Sequence, residues 1–386
     1  MKITFIYNAA LNKLPLSGSS IVFAAGVIAL SLISASPAAS AREADPLFQS
    51  DELLNLTLKG PISKLDKERE LDVVYEPANL TYENPQGETV SLNVRLQPRG
   101  KKRLNRGICS FPPLRILFDK KETANTIFSK QKKLKLVAQC RPDLKNYELY
   151  LLTEYYAYKS LNLLTDNSYR VRLARISYVD NADEHGAKEN NKTLHTTYGF
   201  LIEPTRRLAK RIGRKRLKLD ETSAKQLDGA HLNLVSLFQL MLGNTDWSAT
   251  HGGVDECCHN GKLFGEAGSS DNLYIPYDFD MTGLVHPDYA TVDKSLKLDS
   301  IRERRYRGYC RNLEWFEYNK TLFNIRRAEI LSLFEHAPYL PDHRNKKNLR
   351  YVEKFYRLIN NPKRVNRKIE GRCHKSYIVD KTDLPS

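Results

Sequence analysis

Between Leu53 and Phe118 apolar and polar residues alternate in short runs. This two-residue period restricts the fold most, because only a strand turns every second side chain to the same face. Residues 71–75, 90–96 and 114–118 read as antiparallel strands punctuated by Asn, Gly and Pro. A further strand at 133–138 leads into a helix over 147–164, where Leu151, Leu152, Tyr155, Tyr158 and Leu161 recur at helical spacing. Strands at 171–178 and 197–202 follow, separated by a polar loop carrying Asp183, Glu184, His185 and Gly186. The period then changes. A helix over 224–242 carries a stripe of Leu, Val and Phe, and after a polar segment at 243–260 and a short strand at 274–277 the remainder is helical and basic. The pattern predicts an α+β chain, sheet-rich first and helical second.

The first residues carry a different signal. Lys2 and Lys13 precede an apolar stretch at 21–33, and Ala39-Ser40-Ala41 supplies a small-residue cleavage site, so residues 1–41 read as a secretory signal with a mature start at Arg42. The apolar run is short for a bilayer span and is broken by Ser31, Ser34 and Pro37. No later segment is apolar enough to span, so no transmembrane segment is expected after cleavage and the location expected is periplasmic or secreted. Cys109, Cys140, Cys257, Cys258, Cys310 and Cys373 form an even set, which in an oxidising compartment favours disulfides, with the connectivity open. Zinc at Cys257, Cys258 and His259 is disfavoured, since adjacent cysteines lack the usual two-residue spacer.

The net charge of +16 is clustered at 99–106, 130–135, 206–218 and 302–307. Such a surface suits nucleotide phosphates, anionic headgroups or acidic glycans, without specific nucleic-acid recognition. The 206–218 run reads as a solvated face, and Arg115 as a surface or interface residue. Two acidic clusters follow apolar elements: Gly243-Asn244-Thr245-Asp246-Trp247-Ser248, extended by His251, His259 and Asn260, and Pro276-Tyr277-Asp278-Phe279-Asp280. Carboxylates lodged beside aromatics are costly unless paired, and oxygen ligands from Asp and Asn suit Mg²⁺ or Mn²⁺. A Lys-bearing strand, a Glu-bearing helix, a long helix, an Asp with a downstream Asn, then a strand and an Asp follow the order of parts in phosphoryl transfer.

The segments LKLVAQC, LLTEYYAYKSLNLLTDNSYRVRL, YGFLIEP, GNTDWS with HN, and PYDFDMTGLV resemble exported relatives of the spore coat protein H (CotH) kinases, from about Leu53 to about Cys310. The resemblance implies a two-lobed protein-kinase-like fold, with a sheet-rich N-lobe over 42–204 and a helical C-lobe over 205–386, that binds ATP and a divalent metal. It gives Asp246 the catalytic role, Asn260 and Asp278 the metal, and Asp280 a second ligand position. Lys135 would contact phosphate with Glu154 as its helix partner, Lys133 and Glu148 being the substitutes, and Glu203 would sit at the adenine-facing hinge.

Departures from that pattern are plain. No GxGxxG loop is present, Arg99-Gly100-Lys101 being the sole substitute; residues 252–258 look inserted between Asp246 and Asn260; and DFD replaces DFG. The expected activity is phosphoryl or nucleotidyl transfer from a nucleoside triphosphate to a protein, glycan or envelope acceptor. The alternatives are a non-catalytic envelope binding protein with a kinase fold, and a glycosyltransferase using Asp278 and Asp280 as a metal-binding DxD.

Overall fold

A computed structural model describes residues 43–70, 74–100, 102–181, 192–252 and 257–375. The expected secretory segment at 1–41 and the loop at 183–186 lie outside the described residues, as do three of the five residues of the strand expected at 71–75.

The first ten elements in chain order are β1 (Leu54–Gly60), α1 (Ile62–Lys67), β2 (Glu76–Glu83), β3 (Thr89–Pro98), β4 (Leu114–Phe118), β5 (Lys133–Ala138), α2 (Lys145–Leu164), β6 (Val171–Asp180), β7 (Lys192–Ile202) and α3 (Thr205–Arg211). The seven strands close into a barrel in the order β1-β2-β3-β4-β5-β7-β6. Six of the seven pairings are antiparallel, so strand direction alternates around the ring and the seventh joint must be parallel. That joint is β1 with β6, running in register from Leu54 opposite Ala174 to Gly60 opposite Asp180. Closure removes the edges that an open sheet would expose.

The chain is α+β, as its periods indicate, but the two-lobed kinase-like arrangement with an N-lobe sheet is overturned by this closed barrel and by the packing of the described residues from 43 to 375 as one compact unit. Alternation fixes which residues form strands and says nothing about closure. The barrel depends on one pairing between segments about 120 residues apart, a distance no local period encodes.

Alternate residues fill the interior. Leu56 and Leu58, Leu92 and Leu96, Leu114 and Ile116, Leu134 and Leu136, and Ala174 and Ile176 form one buried core. Outward residues of the last three strands, Val137, Leu173, Phe200 and Ile202, join a second core with Leu152, Tyr155, Tyr158 and Leu161 of α2. The helix therefore lies against the outside of the barrel and carries its burial into the rest of the chain.

The remaining elements are β8 (Arg216–Leu217), α4 (Gly229–Leu242), β9 (Gly261–Phe264), β10 (Leu273–Pro276), α5 (Phe316–Ile325), α6 (Arg327–Glu335), α7 (Asp342–Ile359) and α8 (Pro362–Lys368). Asp228 caps α4 by accepting from the His231 N–H at 2.7 Å, and residues 231–242 are all buried. The helix stops at Gly243, whose φ of +64° and approach to Tyr351, with Oη 2.0 Å from where a Cβ would stand, admit only glycine. β8, β9 and β10 form a small antiparallel sheet beside it.

Three disulfides are present: Cys109–Cys140, Cys257–Cys258 and Cys310–Cys373. The first and third span 31 and 63 residues. Chain entropy alone gives such loops about 4 kcal/mol of stabilisation each. Cys257 and Cys258 are joined to one another and leave no thiolate for zinc. Among the described residues no helix is long and apolar enough to cross a membrane.

Candidate functional site

The barrel's outer face supplies one wall of a cleft. Register sets Gln97, Arg115 and Lys135 side by side on β3, β4 and β5, ending at Ile202 of β7. These residues point away from the interior because Leu96, Leu114, Leu134 and Leu136 point into it. Arg115 donates to Gln97 Oε1 at 3.0 Å, so it belongs to the cleft wall. Lys135 Nζ lies 5.0 Å over the Tyr277 ring, with Lys262 of β9 5.9 Å from the same ring. Burial, reinforced by the charge of Arg99, pushes the Lys135 ammonium down to about 8.

The opposite wall is acidic and is built on helix and strand ends. Gly243 turns the chain out of α4, and Asn244 Oδ1 accepts from the Asp246 N–H at 2.8 Å. His259 Nε2 lies 2.8 Å from Asp246 Oδ1, and Asn260 Nδ2 donates to Asp246 Oδ2 at 2.9 Å and to its carbonyl at 2.7 Å. Burial works to raise the Asp246 carboxyl, but the His259 and Asn260 hydrogen bonds and the charge of Lys102 outweigh it and hold the group below its ordinary value. An ionised carboxylate with lone pairs to spare suits proton acceptance from a hydroxyl. It opens on a cavity of about 360 Å³ lined by Lys102, Thr245, Met281, Thr291 and Val292.

Asp278 follows β10 by two residues with φ +66°, a conformation Asp tolerates better than most, and its N–H donates to Tyr158 Oη at 2.8 Å. Burial and then repulsion from Asp280 raise its carboxyl, against Arg103 and Arg99. The side chain is crowded on its cleft side yet 46% exposed, so solvent screening blunts the effect and a ligand can reach it.

Arg103 crosses between the walls. It lies in a 3₁₀ turn, Lys102–Leu104, reached through Gly100 at φ +109°. Its guanidinium donates to Asp280 at 2.6 Å and stands 3.7 Å from Glu154 and 3.9 Å from Asp278. Tyr289 adds a second donor to Asp280 at 3.1 Å. Burial drives the Glu154 carboxyl up to about 8, against the pull of Arg103 and of the Phe279 N–H.

Five of the expected residues thus converge: Lys135, Glu154, Asp246, Asn260 and Asp278 share one cleft, linked by short contacts or by direct charge interaction. The partner of Glu154 is Arg103 rather than Lys135, and Asp280 is spent on Arg103 and Tyr289. Glu203 directly follows Ile202, the last residue of β7, and its buried carboxylate is bound by Arg211 at 2.9 and 3.0 Å and by the Arg170 N–H, an ion pair that ties the end of β7 to α3. Arg211 belongs to the run read as a solvated face and is instead 5% exposed.

Arg103 and His259 were not singled out by the sequence for these roles. The signal for Arg103 was the basic run at 99–106, whose depth over the acids depends on the turn at Gly100; for His259 it was adjacency to Asn260.

Among the described residues no group of three His, Cys, Asp or Glu side chains gathers closely enough to cage a metal. The donor set still fits Mg²⁺ or Mn²⁺, which take one or two protein oxygens and complete their shell with water and phosphate. The half-exposed Asp278 carboxylate and the Asn260 amide oxygen, whose amide nitrogen is turned to Asp246, would be the pair to hold it. No protein-family model matches the chain, and no curated protein matches it in sequence.

Proposed function

We propose that the chain is an exported phosphotransferase that uses a nucleoside triphosphate, ATP by expectation, with Mg²⁺ or Mn²⁺, and modifies a hydroxyl on a protein, glycan or envelope component. The observation that carries this reading is the convergence of Lys135, Asp246, Asn260 and Asp278, from four separate segments, on a cleft with cations on one wall and carboxylates on the other. The likeness of those segments to the spore coat protein H kinases supports the same chemistry, carried here on a barrel rather than a kinase N-lobe.

Triphosphate oxygens would lie along Lys135, Arg99 and Lys262. Asp278 and Asn260 would hold the divalent ion, which would supply charge neutralisation at the phosphates. An acceptor hydroxyl in the cavity beside Asp246 gives its proton to that carboxylate as its oxygen bonds to the γ-phosphorus. The bond from the γ-phosphorus to the bridging oxygen breaks, and the nucleoside diphosphate leaves with that electron pair. His259 and Asn260 keep Asp246 aimed and ionised.

A second reading has one specific observation behind it. Arg103, seated among Asp280, Glu154 and Asp278, neutralises the acids from within and would let the cleft hold an anion without turnover. Incubation with γ-labelled ATP and Mn²⁺ in the presence of envelope extract separates the two. Transfer of label, reduced about a thousandfold by Asp246→Asn with ATP binding retained, is the expected result. Absence of transfer, with or without nucleotide binding, leaves the second reading standing and overturns the first.

A further inference from the structure

Outside the cleft, the last two helices carry a run of solvent-facing cations. The buried side of α7 is Asn348, Val352, Phe355 and Ile359, and its solvent side is Lys346, Arg350, Lys354 and Arg357. At 1.5 Å per residue this cationic stripe runs about 16 Å along the helix. The next helix, α8, carries Lys363, Arg364, Arg367 and Lys368, all exposed.

Some cations on other elements are matched: Lys64 with Glu76 at 2.8 Å, Lys159 with Asp51, and Arg326 with Glu329 at 2.8 Å. Of the eight on α7 and α8, only Arg357 meets a carboxylate, that of Glu353, at 4.0 Å among the described residues. Like charges four apart destabilise a helix, so Lys346, Arg350 and Lys354 are kept at a cost to its stability. Cys373, just beyond α8, is bonded to Cys310, which ties the end of this face to the body of the protein.

The geometry points to a bilayer surface carrying anionic phospholipid headgroups as the partner of the α7–α8 face. Charge complementarity selects an anion, and the form of the face selects its source. Exposed large apolar or aromatic side chains occur elsewhere, at Trp315, Tyr318 and Ile325 among others, but none lies between 342 and 375. The face therefore has neither the stacking platforms that single-stranded nucleic acid uses nor the apolar wedges of an inserting helix. Cations spread over two consecutive helices match the diffuse charge of a headgroup layer.

The test is co-sedimentation of the purified full chain with vesicles of phosphatidylcholine containing about 30 mol% phosphatidylglycerol, against pure phosphatidylcholine, at about 0.1 M salt. Binding to the anionic vesicles should exceed binding to the neutral ones by at least about tenfold and be lost at about 0.5 M salt. The triple variant Lys346→Glu, Arg350→Glu, Lys354→Glu should lose that preference. An equal charge change on the barrel loop, Lys120→Glu, Lys121→Glu, Lys132→Glu, should keep it. Both variants must retain the near-ultraviolet circular dichroism of the parent, and a single reversal, Lys354→Glu, with a partial loss expected, replaces the triple one if it does not. Equal binding to both vesicles, equal loss in the two triple variants, no loss in the α7 variants, or binding to duplex DNA in preference to vesicles overturns the assignment. None of these outcomes depends on nucleotide chemistry, so the phosphotransferase reading stands or falls separately.

Discussion

Leu134 and Leu136 point into the barrel with Leu114 and Ile116, whereas Lys135 between them points out, beside Arg115, into a cleft of opposed charges. The same strands thus serve two regions under different rules. The interior is aliphatic and gains its energy from burial, which is non-directional and tolerant of detail. The cleft is a balance in which Arg103, Lys135 and Arg99 face Glu154, Asp246, Asp278 and Asp280, drawn from several separate elements. A buried charge stripped of its partner is costly, so the cleft depends on particular contacts where the barrel depends on total packing.

Substitutions on the two sides should separate these rules. Leu136→Ala is expected to cost about 3 kcal/mol by denaturant unfolding, with the nucleotide affinity of the folded protein unchanged. Arg103→Gln should cost about 2 kcal/mol, less than the usual loss for a broken buried pair, because Glu154 can keep its proton; unlike the barrel variant, it should also change nucleotide binding. An affinity change in the first variant, or none in the second, would erase the distinction.

A pH series sharpens it. Lys135 has a folded-state value lowered to about 8, so it is charged at neutral pH and loses that charge as pH rises through 8. Glu154, raised to about 8, gains negative charge over the same interval. Both changes weaken phosphate binding, and nucleotide affinity should fall about fivefold from pH 7 to pH 9 in titration calorimetry. The Lys135 contribution to stability moves the other way. Between about 8 and its ordinary 10.5 the unfolded chain holds more protons at this site, so raising pH through that window relieves a penalty that is fully present below 8. The smallest effect belongs to Glu154→Gln, within about 1 kcal/mol of the parent at pH 7, since the carboxyl already carries its proton there.

What the sequence disclosed follows the same division. Strands at 114–118 and 133–138 coincide with β4 and β5, and the helix at 147–164 with α2, because a period of two or of 3.6 is written into consecutive residues. The candidate acids were legible as Asp beside aromatics at element ends; Asn260 is hydrogen-bonded to Asp246, and Asp278 lies within range of the Asp246 charge. Barrel closure was not legible, since β1 finds β6 only across the whole first half of the chain. Neither was the exchange of partners at Glu154: Arg103 reaches it over a turn set by Gly100, while Lys135, on the expected strand, is occupied with Tyr277.

The most direct test of the cleft's purpose is calorimetric titration of ATP into the purified protein with Mg²⁺ or Mn²⁺, repeated with chelator and with Asp278→Ala. The account predicts saturable binding that falls at least about tenfold when either the ion or the Asp278 carboxylate is removed. Equal binding with and without the ion and the carboxylate, or no binding under any condition, would contradict it.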